Sequence, residues 1–434
     1  MRQNLLETYS RQISAAQAYV AKNFDGKEIS NRTKLTTAVL LDNLNNCWND
    51  GTLTESVATN RADLGSWKKF CLNLTNVAVP SLIANDLVIV QPMTSYSGAV
   101  AYLEYVATTD KNGQEGKTFN SVFGLGEMSD GRVNYTSQII VESGKVASVT
   151  PVVDNGLTYE DNGEIKSATY KSILADGSAV YGATVDENAV KIAYVAKKFQ
   201  MESVPAEDIP SIGPKMRKIP LVAEPRRIAV RYDQITAFQA KTDYGFSLEK
   251  QIAEQAIGEL TYEIDTEIVD MLKEGAGDAV AELTWSTKLP VGVSMFEHYN
   301  SFLKVFEDAK AIIYKRTGKF SANYMVCAAN IVPILCFVNG WKATKGTHNG
   351  PYKAGELNGV DVYVSPRLAD GEFFFGLNGA DLQSSAGVYA PYLAIVPTQV
   401  LGTPDGGLAQ GFSTWYAKAL LNKSLLVAGK ITNE

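Results

Sequence analysis

The most regular pattern of apolar and polar positions in the chain lies between residues 247 and 273. Apolar side chains recur there at every fourth position, and the set is Leu248, Ile252, Ala256, Leu260, Ile264 and Ile268. This spacing aligns one apolar stripe along a helix, and Ser247 can cap its first turn. With a rise of about 1.5 Å per residue, such a helix reaches roughly 40 Å. The sequence therefore predicts one long helix, followed by a second helix over residues 295–314.

Strand-like runs and turn sequences follow one another between residues 133 and 196. The runs cover 135–141, 146–153 and 189–194, and the turn sequences in this region are Asp154-Asn155-Gly156, Asp161-Asn162-Gly163 and Asp176-Gly177. Such Asn-Gly and Asp-Gly pairs favour tight hairpin turns, so the pattern predicts a small all-β module. Residues 109–131, which precede the module, contain five glycines, and this density is typical of a flexible loop.

The first part of the chain is polar, and a packed core begins after it. Residues 1–70 are rich in Asn, Thr, Gln and Ser, with weak helical periodicity at Leu35, Val39, Leu40 and Leu44. This composition favours an extended or helical arm. Residues 77–90 are mainly apolar, and residues 99–108 alternate as a strand does. We expect these last two segments to belong to a core that mixes helices and strands.

Composition and charge narrow the classes of partner. The chain has 434 residues, of which 45% are hydrophobic and 20% charged, which suits a protein of roughly two to four compact lobes. A net charge of -7 and a pI of about 5.2 do not indicate binding to nucleic acid or to an anionic membrane. The longest apolar run, 325–338, is interrupted by Asn330 and Pro333 and is shorter than the roughly 20 residues of a membrane span. We expect protein partners and no membrane role.

Residues that could carry catalysis are few. The chain has two histidines, His298 and His348, too few for a typical metal cluster or for most acid-base schemes. The segment Gly116-Lys117-Thr118 resembles the end of a phosphate-binding loop, but Lys111 stands where that motif needs its first glycine. The sequence also lacks the nucleophile-elbow, H-E-x-x-H and dinucleotide-binding motifs. We therefore expect no catalytic, cofactor-binding or metal-binding residue, no cofactor, and a protein that is not an enzyme.

Two sets of charged residues have a structural interpretation. A row of glutamates stands beside the apolar stripe of the predicted long helix: Glu249, Glu254, Glu259, Glu263 and Glu267. Its spacing is typical of a helix face that meets solvent or another subunit. A basic concentration precedes that helix, formed by Arg217, Lys218, Arg226, Arg227 and Arg231. It lacks the interleaved aromatic residues that stack on bases, so we expect intersubunit ion pairs rather than DNA contacts.

The cysteine spacing and the first residues indicate the redox compartment of the protein. Cys47, Cys71, Cys327 and Cys336 show no C-x-x-C spacing, and the first 20 residues do not resemble a signal peptide. Both observations indicate a reducing, cytosolic origin.

Three blocks of sequence together resemble one family of proteins. The first block is Val79-Pro80-Ser81-Leu82-Ile83-Ala84-Asn85-Asp86-Leu87-Val88-Ile89-Val90-Gln91-Pro92-Met93, followed by Gly98. The second block comprises Ala223, Arg226, Arg227, Tyr232, Gly245, Glu249, Glu259, Glu263, Ile264 and Glu267. The third block is Tyr389-Ala390-Pro391-Tyr392, followed by Gly411-Phe412 and Tyr416. These blocks resemble the major head proteins of T-even-type contractile-tailed phages. Ser81, Ile89, Tyr96 and Tyr244 depart from that family's residues, but the blocks keep the family's order across residues 77–416.

The resemblance implies an α+β chain with the Hong Kong 97-like capsid fold. In that fold an N-terminal arm and an extended loop reach neighbouring subunits, a peripheral domain carries a long spine helix, and an axial domain lies near the capsomer centre. On this basis we assign residues 1–76 to the arm, 77–108 to the first part of the peripheral domain, 109–222 to the extended loop with a β insertion at 133–196, 223–319 to the peripheral domain with the spine helix at 247–273, 320–402 to the axial domain, and 403–434 to a C-terminal return to the peripheral domain.

The implied function is that of a major capsid protein, which self-assembles into the icosahedral head that encloses a phage genome. The implied partners are copies of itself in hexamers and pentamers, together with portal, scaffold and vertex or decoration proteins, and contact with packaged DNA is non-specific. Assembly would take place in the host cytoplasm and the product would be the virion capsid. Two alternatives stay open: an encapsulin-type nanocompartment shell, and an enzyme with an unrecognised site.

Relatives of this type lose an N-terminal segment to a prohead protease that cuts after Glu in the pattern aliphatic residue, any residue, Glu. Leu5-Leu6-Glu7 and Leu53-Thr54-Glu55 fit this pattern. Glu7 is too close to the terminus to matter, whereas Glu55 lies in a polar stretch that a protease could reach. Because three-residue patterns often arise by chance, the hypothesis is that the first 55 residues are retained as an interlocking arm.

Overall fold

A computed structural model describes most of the chain. It covers residues 2–23, 28–49, 79–80, 82–108, 211–243, 245, 248–344, 350–398, 400–402 and 407–432, and seven strands between residues 139 and 198. By their contacts the residues form two compact units: unit 1 contains residues 1–100, 218–316 and 320–434, and unit 2 contains residues 101–217 and 317–319. Several residues of the sequence analysis lie outside the described ranges, namely Glu55, Cys71, the five glycines of 109–131, Gly116-Lys117-Thr118, Ser247 and His348.

The helices occupy both the N-terminal region and the core. They are α1 Arg2–Thr8, α2 Ser10–Asn23, α3 Asn31–Asn49, α4 Ala84–Leu87, α5 Gln234–Asp243, α6 Leu248–Ala276, α7 Met295–Asn300, α8 Leu303–Thr317 and α9 Val332–Leu335. The first three confirm the helical form of the predicted arm over the described residues of that segment.

The strands, in chain order, are β1 Ile89–Val90, β2 Ser97–Ala107, β3 Ile139–Glu142, β4 Thr150–Val152, β5 Thr158–Asp161, β6 Glu164–Ser167, β7 Thr169–Ile173, β8 Ala179–Thr184, β9 Lys191–Lys198, β10 Ile212–Val222, β11 Glu224–Asp233, β12 Ala279–Ser286, β13 Tyr324–Cys327, β14 Lys342–Ala343, β15 Tyr352–Leu357, β16 Val360–Val364, β17 Glu372–Gly376, β18 Gly387–Pro397, β19 Leu401–Gly402, β20 Gly407–Leu420 and β21 Val427–Thr432.

Unit 1 is built on two mixed sheets. The larger has the strand order β12-β21-β17-β13-β16-β15-β14, and the smaller has the order β1-β18-β20-β11 with β19 beside β20. Strand β12 runs parallel to β21, β13 to β16 and β1 to β18, whereas the other neighbours are antiparallel. Asn358 and Gly359 join β15 to β16, and both have positive φ, 52° and 78°. An Asn-Gly pair adopts this conformation readily, which is why it makes a tight hairpin turn here.

The main core of unit 1 contains a cluster of aromatic side chains. Phe302 packs against Phe306 and Phe373, and Phe375 packs against Phe306 and Phe373, with ring centroids 5.0 to 5.8 Å apart in edge-to-face geometry. This is the arrangement that the quadrupoles of aromatic rings favour. Consecutive residues Phe373, Phe374 and Phe375 of β17 are at most 2% exposed, as expected of a strand that is covered on both faces.

The predicted long helix is confirmed as α6, which extends past residue 273 to Ala276. Ala256, Leu260, Ile264 and Ile268 of its apolar stripe are at most 3% exposed. The first two pack against the smaller sheet and the last two enter the main core. The helix ends at Gly277, whose φ of 70° and whose N–H bond to the Lys273 carbonyl give the left-handed C-terminal cap that favours glycine.

The second predicted helix, over residues 295–314, is not continuous, so that prediction was wrong in its middle. Helices α7 and α8 are separated by Ser301 and Phe302. The Ser301 hydroxyl donates to the His298 carbonyl at 2.6 Å and accepts from the Trp285 indole N–H at 3.0 Å. Such side-chain bonds to the backbone compete with helix continuation. The resulting bend lets Phe302, which is fully buried, enter the aromatic core.

Unit 2 contains the predicted β module. Its strands form a sheet of order β3-β9-β8-β7 and a second sheet of order β4-β5-β6, and all neighbours in both sheets are antiparallel. The predicted runs 135–141, 146–153 and 189–194 correspond to β3, β4 and β9, with shifted ends. Strands β2 and β10, which lead into and out of unit 2, pair with each other.

Candidate functional site

The candidate site of unit 1 is a junction at the middle of α6, where the three sequence blocks of the resemblance meet. The first block contributes α4 and β1, the second contributes β11 and α6, and the third contributes β18 and β20. β1 pairs with β18 through Ile89–Val388 and Val90–Tyr389, so the first and third blocks are joined directly. Residues far apart in sequence therefore converge on one helix.

Glu267 is the ionic centre of this junction. Its carboxylate accepts hydrogen bonds from Arg226 Nε at 3.0 Å, from the Tyr416 hydroxyl at 2.9 Å and from Lys418 Nζ at 3.0 Å. Burial raises the pKa of Glu267, but hydrogen bonds from Arg226, Lys418 and Tyr416 outweigh it and lower that pKa to about 2. The group is therefore ionised at neutral pH, and it fastens α6 to strands β11 and β20.

Arg226 and Glu267 behave differently from what the sequence suggested. We expected the basic concentration to form intersubunit ion pairs and the glutamate row to face solvent or another subunit. Arg226 instead pairs with Glu267 and Glu224 of its own chain and lies 5.4 Å from the Tyr416 ring centroid. Glu254, Glu259 and Glu263 are exposed. The expectation was thus wrong for Arg226 and Glu267, because the helix turns that position toward the sheet.

Asp265 is a second carboxylate of the junction, and the sequence analysis missed it. It is 7% exposed and accepts a hydrogen bond from the Ala84 main-chain N–H at 3.1 Å. Burial raises its pKa to about 7, more than the hydrogen bonds from Ala84 and Ile83 lower it. A signal was present: Asp265 lies at helical spacing from Leu272 and Ile268, within the buried stripe. An acidic residue on such a stripe predicts a specific backbone partner.

The third block supplies two tyrosines that close the junction, with their rings tilted by 55° with respect to each other. Tyr389 and Tyr416 are 3% and 2% exposed, and their ring centroids are 5.5 Å apart. The Tyr416 hydroxyl donates to Glu267, and burial raises the pKa of Tyr389 well above its usual range. Both phenols therefore stay protonated and act as structural hydrogen-bonding and packing groups.

The helical arm docks on the smaller sheet of the same unit. Leu44 of α3 is 3% exposed and packs against Leu393 and Val396 of β18. Asn43 of the same helix is buried, and its side-chain amide donates to the main-chain carbonyls of Met93 and Tyr392 at 2.6 and 2.9 Å. These bonds satisfy the buried side-chain amide of Asn43 and the main-chain carbonyls of Met93 and Tyr392. The arm is therefore held by specific contacts.

Other candidate groups have structural partners. His298 Nε2 lies 2.9 Å from the Ser286 carbonyl, and its ring stacks on Trp285 at 4.7 Å. Burial raises the pKa of the Cys327 thiol to about 12, so this cysteine is a poor nucleophile. Over the described ranges, no three His, Cys, Asp or Glu side chains are grouped as a metal ion requires. In the same part of the chain, no helix has the length and apolar character needed to cross a bilayer.

The polar side chains of the junction bond to one another and to the main chain, and they join α6 to its neighbouring elements. This arrangement is typical of the class of structural proteins. The sequence model of the family described as Major capsid protein Gp23 matches residues 64–433, so the chain belongs to this family. The matched residues include all three blocks. Residues 2–49, which form the described helices of the arm, lie before the match.

Curated relatives carry the same description. The chain is similar to the major capsid proteins of Enterobacteria phage T4, Enterobacteria phage T6 and Vibrio phage KVP40, which are 24%, 23% and 21% identical to it. Each match covers 80% of this chain, and the matches cover 73%, 76% and 74% of the three relatives. The protein is accordingly a major capsid protein, a structural component of the virion and not an enzyme. Its relatives are phage proteins, so the encapsulin alternative is the weaker one.

Two solved structures similar to the chain come from Microbacterium phage Oxtober96 and Mycobacterium phage Adephagia. The first has a TM-score of 0.38 and 12% identity, and covers 81% of this chain and 91% of its own. The second has a TM-score of 0.37 and 12% identity, and covers 80% of this chain and 88% of its own. The holo-SrpI encapsulin complex from Synechococcus elongatus PCC 7942 scores 0.33, with 11% identity over 60% and 83%. The α+β class is visible in the described elements, and the predicted Hong Kong 97-like capsid fold is confirmed through the family.

Proposed function

We propose that copies of this chain assemble as hexameric and pentameric rings into a closed icosahedral head around the phage genome. The observation that supports this proposal is the family match over residues 64–433. A closed shell repeats each subunit contact many times, so contacts of modest size are sufficient. The subunit accordingly needs a rigid centre and several contact surfaces more than it needs a pocket.

The predicted regions then have distinct tasks. Residues 223–319 with α6, together with 77–108, form the peripheral body, 320–402 form the axial part near the ring centre, and 403–434 return to the peripheral body. Residues 1–76 are the arm, and 109–222 are the extended loop, with the β module of 133–196 as an insertion on the outer surface. The fixed helix α6, tied by Asp265 and Glu267, supports the first of these assignments.

Further partners follow from the task. A head needs a portal and a scaffold, and can carry vertex or decoration proteins, while assembly takes place in the host cytoplasm. The net charge of -7 disfavours strong attraction to packaged DNA. We propose that the chain contacts the genome only non-specifically.

Coexpression of the full chain with its scaffold partner tests the proposal. We expect closed shells or tubes with hexameric and pentameric capsomers in electron micrographs. A protein that stays strictly monomeric under these conditions would contradict the proposed function.

A further inference from the structure

The second half of strand β18 has one edge that no described strand pairs with. β1 pairs with β18 at Val388 and Tyr389, and the Met93 N–H donates to the Pro391 carbonyl at 2.9 Å. Among the described strands, β20 is the single neighbour of residues 392–397. Without another cover, the main-chain groups on the other side of these residues would be open to a further strand.

This part of β18 has the composition of strands that pair readily between molecules. The segment Tyr392-Leu393-Ala394-Ile395-Val396 contains aromatic, aliphatic and β-branched side chains and no charge, which is the signature of an aggregation-prone strand. Proline stands at both ends, as Pro391 and Pro397, and proline within a sheet is confined to edge strands, first residues and bulges. An uncovered edge at this segment would therefore permit strand addition by another molecule.

Helix α3 of the arm lies on this segment. Leu44 packs against Leu393 and Val396. Leu40, one turn earlier in the helix and 1% exposed, packs against Ala394. Successive turns of α3 thus cover the apolar side chains of the segment, in the way that a helix covers the edge of a sheet.

Asn43 of α3 bonds to the main chain of the same segment. Its side-chain amide is buried and donates to the Tyr392 carbonyl at 2.9 Å and to the Met93 carbonyl at 2.6 Å. It therefore occupies a main-chain acceptor of β18 that a further strand could use. Cys47 Sγ, one turn further along α3, lies 3.5 Å from the Tyr392 hydroxyl. The reactivity of this thiol consequently reports whether α3 is in place.

We propose that α3 protects the open edge of β18, so that a free subunit does not add a strand of another molecule there. Helices and loops cover sheet edges for this purpose in natural proteins. β18 lies within the residues that the family model matches and α3 lies before them, so the match contains the edge but not its cover. The protection concerns the single subunit and does not depend on the proposed shell.

The first experiment compares Asn43→Ala with Asn46→Ala in the full chain, without scaffold, at a concentration where the unmodified chain is monomeric. Asn46 is exposed on the same helix, so its variant controls for the loss of an amide from α3. We expect Asn43→Ala to increase the rate at which a thiol reagent modifies Cys47, measured by peptide mass, at least about tenfold, because two buried hydrogen bonds are lost. Asn43→Ala alone should form aggregates with the infrared band of intermolecular β-structure. Faster modification without aggregation would overturn the proposal, and so would unchanged modification.

The second experiment separates loss of the cover from a failure to fold. A specific protease site is introduced after residue 55, and the full chain is cut only after it has folded. We expect residues 1–55 to elute with the remainder in gel filtration, and the cut Asn43→Ala chain to release them and then aggregate. Release followed by aggregation supports the proposal in either chain, because the edge is then uncovered. A remainder that loses residues 1–55 and stays monomeric at the same concentration would overturn it.

Discussion

Asp265 and Glu267 are neighbouring carboxylates of one helix, yet their surroundings have opposite effects on them. Glu267 meets Arg226, Lys418 and the Tyr416 hydroxyl, which lower its pKa to about 2. Asp265 meets main-chain N–H groups of the α4 turn and the negative charge of Asp86, and burial raises its pKa to about 7. Burial alone therefore does not decide whether a carboxylate is ionised, because the partners that the tertiary structure supplies can outweigh it.

The difference also separates two mechanical roles. Glu267 connects α6 to the smaller sheet through charged partners, which remain bound over most of the pH range. Asp265 connects α6 to α4 through neutral main-chain donors. The first connection depends on ionisation and the second tolerates its loss, so changes at the two positions should have different pH dependences.

The largest loss of stability is expected when a carboxylate is buried with neither a charged partner nor a main-chain N–H partner. Ile264→Asp places a charge in the main core beside Asp265, at a position that is 3% exposed. Loss of apolar burial and an unpaired charge together should reduce the free energy of unfolding by at least about 4 kcal/mol and prevent assembly. Urea unfolding and electron microscopy measure both quantities. Ile264→Val is the control, expected to cost about 1 kcal/mol, and normal shells from Ile264→Asp would show that the stripe is not buried.

Glu267→Gln should have the next largest effect. It removes the charge that Arg226 and Lys418 share, and should reduce the free energy of unfolding at pH 7 by about 2 kcal/mol, allowing for solvent screening. Because the folded pKa is about 2 and the ordinary value 4.5, this stabilisation is complete above pH 4.5 and disappears as the pH falls through 2. The difference between variant and unmodified chain should therefore shrink toward pH 2. Glu263→Gln, on the exposed face, should change little; an equal loss there would indicate a general charge effect.

Asp265→Asn should act in the opposite sense. The folded pKa of about 7 lies above the ordinary value of 3.8, so the stability associated with protonated Asp265 is complete below 3.8 and is lost as the pH rises through 7. An asparagine keeps a carbonyl oxygen for the Ala84 N–H and never ionises. We expect the variant to be more stable than the unmodified chain by about 2 kcal/mol at pH 8 and nearly equal at pH 4. Urea unfolding between these values tests this, with exposed Asp270→Asn as control; a loss of stability at pH 8 would contradict it.

The β module offers a contrast to the junction, since it lies in unit 2 and its strands pair among themselves. Replacement of residues 133–196 by a short Gly/Ser linker should leave folding of the remainder intact, with a change in unfolding free energy below about 1 kcal/mol. Circular dichroism and urea unfolding measure the outcome. Loss of the subunit fold would mean that these residues belong to the core.

The last prediction is that the mass of the subunit does not change when the virion matures. If the arm stays attached, as its docking through Asn43 and Leu44 favours, the intact mass of the subunit from mature virions equals that of the full chain. Glu55 lies outside the described residues. A mass that corresponds to a chain beginning at Ser56 would show that the arm is removed.

The residues that could be predicted from sequence are those whose pattern is local. The stripe from Leu248 to Ile268 repeats with the period of a helix, and Asn-Gly and Asp-Gly pairs mark turns, so α6 and the β module followed from sequence alone. The break between α7 and α8 could not be predicted in this way. It depends on a bond between Ser301 and Trp285 and on the burial of Phe302 among residues of β17 and α8.

The sequence by itself determined the long helix, the polar arm, the β module and the order of the three family blocks. Only the tertiary structure decided that Glu267 bonds to Arg226 and Tyr416, that Asp265 binds the α4 turn, and that the Val291 side chain is exposed. The physical reason is that helical periodicity arises from neighbours along the chain, whereas the ionisation of a carboxylate depends on groups that are distant in sequence. Arg226 is 41 residues from Glu267, and Ala84 is 181 residues from Asp265.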